Sequence, residues 1–167
     1  MVIVGQDPYP QDGVADGLGF SASPRADRIP TSLVRILVEA GMNKKDRMKK
    51  SSWNIDHWAD QGVLLLNSVL TCPSGKSWGH ASIGWQKLTS TLLRTVWTKN
   101  PNVVFLLWGE KAKRVAVDAD INPDALRVIT TSHPVASLGK RLFRNSGVFI
   151  ECNHLLCDVD QLQIVWV

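Results

Sequence analysis

Val2-Ile3-Val4-Gly5-Gln6-Asp7-Pro8-Tyr9-Pro10 is the stretch whose reading decides the fold. β-Branched residues that stop at a glycine and give way to polar residues and prolines describe a buried strand ending in a short, stiff loop. Asp7 then stands at the carboxyl end of that strand, the edge where open α/β sheets hold their ligands. Pro8 and Pro10 fix φ on either side of Tyr9, so its ring is aimed at one place.

Further runs repeat the pattern. Val63 to Leu66, Val103 to Trp108 and Arg127 to Thr131 read as strands, and they run out into Asn67, Gly109 and Ser132-His133-Pro134. Helical segments lie between them. Pro30, Thr31 and Ser32 open a helix that carries Leu33, Ile36 and Leu37 at helical spacing and stops at Gly41. Trp53 to Asp60 predicts a short helix. Trp85, Leu88, Leu92, Leu93 and Val96 recur at three and four, predicting an amphipathic helix over Ile83 to Trp97. Glu110 to about Val117 and Gly147 to Asp158 complete the helices. Asn43 to Ser52 is basic and polar, a surface loop. Cys72 to Ser82, with Pro73, Gly75 and Gly79, is too irregular for either element.

Strands alternating with helices predict an α/β protein, three-layer α/β/α with a central four-stranded, mostly parallel sheet. Parallel order alone brings Asp7, Asn67, Gly109 and His133 to one edge. The length fits one domain over residues 1–167. An apolar fraction of 44% and a charged fraction of 20% are those of an ordinary globule, which argues against disorder. No apolar run is long enough to span a membrane, and no secretory or transit segment is expected before Val2. Cys72, Cys152 and Cys157 are few and odd in number, which suits a reducing compartment. Cys152, His154 and Cys157 match no common zinc spacing, so no metal is expected.

The net charge of +4 is unevenly spread. Between Arg25 and Lys50 there are eight basic residues against three acids, and Lys140, Arg141 and Arg144 follow the His133 loop. A basic surface beside a pocket suits a polyanion, although a charge run by itself is ordinarily a solvated face.

Taken together, Gly5-Gln6-Asp7-Pro8-Tyr9, Leu64-Leu65-Leu66-Asn67-Ser68-Val69-Leu70-Thr71, Phe105-Leu106-Leu107-Trp108-Gly109 and Ser132-His133-Pro134 resemble, in order and spacing, the signature blocks of family 1 uracil-DNA glycosylases. Phe149, Asn153-His154-Leu155-Leu156 and Ile164-Val165-Trp166 resemble that family's closing segments. The resemblance implies a cofactor-free, monomeric enzyme that hydrolyses the N-glycosidic bond of deoxyuridine in single- or double-stranded DNA and begins base-excision repair. It also implies an intracellular location: cytoplasmic in a bacterium, nuclear or mitochondrial in a eukaryote. The alternative is a catalytically weak DNA-binding homologue acting as a scaffold or polymerase-associated subunit.

The residues suit that chemistry. Asp7 can steady a cationic sugar and direct or deprotonate a water, while His133 can donate a hydrogen bond to the carbonyl oxygen on which charge collects. In the family's mechanism that imidazole is neutral. An isolated His-Pro is ordinarily a loop residue, and the resemblance is what gives His133 its role. The side-chain amide of Asn67 offers a donor and an acceptor that match O4 and N3–H of uracil and mismatch cytosine. The resemblance further implies that Tyr9 excludes the thymine methyl and that Phe20 stacks on the everted base. It also implies that the backbone of Gln6 contacts a base carbonyl. Loops at Ser32, at Gly109 and at Ser137-Leu138 would grip the backbone and fill the vacated stack. Lys140 and Arg141 would hold phosphates.

Departures from the family pattern fall on DNA grip. Pro10 stands where many members carry His, Val135-Ala136 replaces Ser-Pro, and the wedge leucine comes one place later at Leu138. Glu110 sits where a phosphate-binding serine is common, and a carboxylate there repels phosphate. The helical segment that usually precedes the first strand in the family is not represented in these residues, so a fragment, an alternative start or a compact variant is expected.

Overall fold

The computed structural model describes residues 1–167. Four short strands, β1 (Val2–Gly5), β2 (Leu64–Asn67), β3 (Phe105–Trp108) and β4 (Val128–Thr131), form one sheet in the order β2-β1-β3-β4. Every neighbouring pair is parallel, with Val4 opposite Leu66 and Leu107, and Trp108 opposite Thr131. The helices are α1 (Thr31–Glu39), α2 (Lys44–Arg47), α3 (Asp56–Asp60), α4 (Trp85–Lys99), α5 (Glu110–Val117) and α6 (Val148–Cys157).

Alternation along each strand divides the interior into two cores. Ile3, Leu65, Leu106 and Ile129 face one side, where Leu33, Ile36 and Leu37 of α1, Trp58 of α3 and Phe149 and Leu156 of α6 cover them. Val2, Val4, Phe105, Leu107 and Val128 face the other, against Leu93 of α4 and Ala112, Val115 and Ala116 of α5. This is the three-layer α/β/α arrangement that the strand runs predicted. The chain leaves β1 toward β2 on one side and leaves β3 toward β4 on the other. Between β1 and β3 the connections diverge, which opens a crevice at the carboxyl edge.

Local readings needed correction in three places. The segment 43–52 is not all loop, because the Asn43 side chain accepts a hydrogen bond from the Asp46 N–H at 3.0 Å and caps α2. A 3-10 turn at Lys50–Ser52 follows. The helix expected from Trp53 starts only at Asp56, since Trp53 is a core residue whose indole N–H donates to the Arg47 carbonyl at 3.1 Å. On α4 the buried face is turned from the predicted one: Leu93 is buried, but Leu88 and Leu92 are 47% and 42% exposed while Thr89 and Ser90 are inside. The Thr89 hydroxyl sits 2.9 Å from the Ser68 carbonyl just past β2, and that anchor sets the helix rotation.

Candidate active site

A single cleft of ≈ 340 Å³ lies at the carboxyl edge, and Gln6, Asp7, Tyr9, Phe20, Ser32, Asn67 and His133 all line it. Strand register brings them together. Gly5 is paired with Asn67, so the loop after β1 and the end of β2 reach the edge at the same height. Gly5 also clears space, because a Cβ there would lie 2.2 Å from Asn67 Oδ1. The Asn67 carboxamide has no hydrogen-bond partner within the protein and is open to a ligand's edge.

Asp7 is held by several donors. Gln6 Nε2 donates to Oδ1 at 2.9 Å, the Trp78 N–H to Oδ2 at 2.6 Å, and Ser77 Oγ lies 3.2 and 3.0 Å from the two oxygens. The Gln6 carbonyl accepts from Ser68 Oγ at 2.7 Å and from the Val69 N–H at 3.0 Å, which fixes the loop against β2. Any base contact from the Gln6 backbone therefore falls to its N–H.

His133 Nδ1 accepts a hydrogen bond from the Val135 N–H at 3.3 Å. A ring nitrogen that accepts carries no proton, so the hydrogen of the neutral ring resides on Nε2. Burial lowers the His133 pKa below the ordinary histidine value, and the negative charge of Asp7 pulls it partly back up. The result favours a neutral imidazole that donates from Nε2. Gly109 at φ 93° lets the chain pass His133, since a Cβ there would lie 3.0 Å from the His133 Cβ.

Phe20 forms the apolar wall, its ring centroid 5.0 Å from Trp108 and 6.2 Å from His133. Its backbone is left-handed at φ 66°, and the preceding Gly19 passes so close to β2 that a Cβ would lie 3.2 Å from the Leu65 carbonyl carbon. The Tyr9 hydroxyl donates to the Phe20 carbonyl at 3.0 Å and meets Ser32 Oγ at 2.9 Å. Burial raises its pKa far above the ordinary phenol value, so Tyr9 is a neutral wall.

Of the residues expected to grip DNA, Ser32 lines this cleft and the others separate from it. Leu138, Lys140 and Arg141 line a second cavity of ≈ 630 Å³ on the other side of His133. Ser137 is exposed on the same loop, and Leu138 is 85% exposed. Ser32 is buried with its hydroxyl on Tyr9, and the Arg141 guanidinium is bound to Glu151 and to the Ser146 carbonyl. Lys140 alone among them is an unpaired cation. Glu110 borders the same cavity, its side chain 87% exposed and paired to Lys113 at 2.9 Å. Ser77 and Trp78 escaped the sequence reading, because the Pro- and Gly-rich segment around them carries no periodicity.

An α/β protein whose acid, amide and imidazole converge from separate strand ends on one ligand-sized cleft has the architecture of the parallel-sheet ligand-binding class, which holds its ligands at this edge. A family model for the uracil DNA glycosylase superfamily matches residues 1–157. A uracil-DNA glycosylase of Mesomycoplasma hyopneumoniae is 39% identical over 166 residues, covering 99% of this chain and 74% of its own. One of Oleidesulfovibrio alaskensis is 36% identical, covering 99% and 73%. The crystal structure of mimivirus uracil-DNA glycosylase superposes with a TM-score of 0.81 at 26% identity, covering 99% of this chain and 66% of that one. The chain belongs to the uracil DNA glycosylase superfamily, whose enzymes hydrolyse N-glycosyl bonds. No helix is long and apolar enough to cross a membrane.

Proposed function

We propose that this chain releases uracil from DNA by hydrolysing the N-glycosidic bond of deoxyuridine, leaving an abasic site, and that it works as a single-domain monomer without a cofactor. The observation that carries the reading is the convergence of Asp7, Asn67 and His133 on one cleft. Asp7 steadies positive charge on the sugar and directs a water to C1′; as the C1′–N1 bond breaks, its electron pair leaves with the base. His133, neutral and protonated on Nε2, donates to the carbonyl oxygen of the departing anion. Asn67 reads the O4 and N3–H edge, the Gln6 N–H meets a base carbonyl, Phe20 stacks, and Tyr9 blocks a 5-methyl group.

The duplex is held outside the cleft. Lys140 meets phosphate, Arg141 shapes the loop that carries it, Ser137 and the start of α1 at Ser32 flank the backbone, and Leu138 enters the vacated stack. Leu138 is suited to that task because it is apolar yet exposed. The test is an oligonucleotide with one uracil, incubated with the protein and then cleaved with alkali. Strand scission that disappears in Asp7→Asn supports the reading, and DNA binding without scission would replace it with a scaffold.

A further inference from the structure

We propose that Ser77, together with the Trp78 N–H, clamps the Asp7 carboxylate from across the cleft, making Ser77 a positioning residue for the hydrolytic step. The inference rests on the role proposed above for Asp7. The geometry is specific. Gln6 Nε2 carries two protons, and it lies 2.9 Å from Asp7 Oδ1 and 3.3 Å from Ser77 Oγ. Ser77 therefore accepts from Gln6 and turns its one proton toward Asp7, whose oxygens lie 3.2 and 3.0 Å away. Gln6, Ser77 and Asp7 close a small ring of hydrogen bonds, and the Trp78 N–H adds a further donor at 2.6 Å.

A clamp is useful only if its own loop is fixed. Trp78 has φ 62°, a conformation that costs free energy in a bulky residue and persists only where the surroundings enforce it. Those surroundings are present: Lys111 Nζ of α5 sits 4.4 Å over the Trp78 ring, and the Gly75 N–H donates to the Pro10 carbonyl at 2.7 Å. Trp85 Nε1 donates to Thr71 Oγ1 at 2.8 Å, and Thr71 Oγ1 meets His80 Nδ1 at 2.9 Å. The loop is thus tied to β1's exit, to α4 and to α5. With these donors in place, the carboxylate is held against pivoting about its Cβ–Cγ bond while it lines the cleft. A water directed by a freely turning carboxylate would be held less often in line with C1′.

The experiment is single-turnover and steady-state kinetics on a uracil-containing oligonucleotide with wild type, Ser77→Ala, Ser77→Thr, Asp7→Asn and the Ser77→Ala/Asp7→Asn double variant. Ser77 is exposed, so its replacement leaves the fold intact. The clamp predicts that Ser77→Ala lowers kcat by about tenfold with KM unchanged, a split expected when reacting geometry and not binding is disturbed. Ser77→Thr, which keeps the hydroxyl, should retain most of kcat. Adding Ser77→Ala to Asp7→Asn should cost nothing more. A wild-type kcat in Ser77→Ala beside an inactive Asp7→Asn overturns the clamp alone. A rise in KM without loss of kcat, or an equal loss on both backgrounds, overturns it as well. Full activity in Asp7→Asn would remove the reading of Asp7 and the clamp with it.

Discussion

Gly5 and Asn67 face each other across β1 and β2, and the Asn67 side-chain oxygen occupies the space where a Cβ of residue 5 would be. The amide is therefore seated against bare backbone. The glycine is required by that close approach and not by its own dihedral angles, which lie within an ordinary strand. Replacing Gly5 with Ala forces the carboxamide to move by an ångström or more. Displacements of about 1 Å in a reacting array cost on the order of a hundredfold in rate. Gly5→Ala is expected to lose uracil release by about that factor while keeping its circular dichroism spectrum, and free uracil is expected to inhibit it more weakly than wild type.

His133 gives a pH signature. Its imidazole is held neutral by burial against the counter-pull of Asp7, so in the folded protein it titrates below about 6.5, the ordinary histidine value. As pH falls from about 6.5, the unfolded chain takes up its proton first and the folded chain does not, so this group weakens folding through that window and not above it. Activity that needs the neutral ring should persist below the ordinary histidine midpoint. NMR titration of the His133 ring should place the transition there. Asp7→Asn, which removes the one influence raising the value, should move it lower still. A midpoint that rises in Asp7→Asn would contradict this account.

The sheet and the three strand-end residues were legible because each strand is a short apolar run that stops at a polar or glycine residue, a signal local to the chain. Asp7, Asn67 and His133 needed only parallel order to meet. What failed to show was set by hydrogen bonds that apolar spacing does not record. The α4 register follows from Thr89 reaching the Ser68 carbonyl, which no hydrophobic period records. Ser77 reaches Asp7 across 70 residues of sequence, from a loop whose only pattern is proline and glycine. Arg141 reads as a free cation in the sequence but is spent on Glu151 in the fold.

Tyr9 has separable ring and hydroxyl roles. Its hydroxyl joins the Phe20 carbonyl to Ser32, and its ring faces the cleft. Tyr9→Phe leaves the Phe20 carbonyl and the Ser32 hydroxyl without this partner, a loss of about 1–3 kcal/mol for each that stays unsatisfied. For a chain of this size that is a fall in Tm of several degrees, at roughly 2–4 °C per kcal/mol. The ring remains, so thymine in DNA should still be refused. Tyr9→Ala removes both and should admit thymine. Thermal melts and the same alkali assay on uracil- and thymine-containing strands check the pair. Action on thymine by Tyr9→Phe would transfer the exclusion from the ring to the hydroxyl.

Glu110 and Lys113 make the last case, at the mouth of the second cavity beside Lys140. Their exposed pair is 2.9 Å apart, so in water it contributes little to stability and either partner can be changed without harm to the fold. The carboxylate nevertheless occupies Lys113 and adds negative charge where a phosphate would approach. Glu110→Gln should free that cation and remove the repulsion, tightening DNA binding several-fold at low salt. One more neutralised phosphate should steepen the plot of log K against log salt by about 0.9 on duplex and about 0.7 on single strands. Lys140→Ala should flatten the plot by a similar amount, and Arg141→Ala should flatten it less because that guanidinium is already bound to Glu151. Fluorescence anisotropy across a salt series measures all three. Equal slopes in wild type and Glu110→Gln would mean that the backbone of bound DNA passes elsewhere, and the second cavity would lose its assignment as the phosphate track.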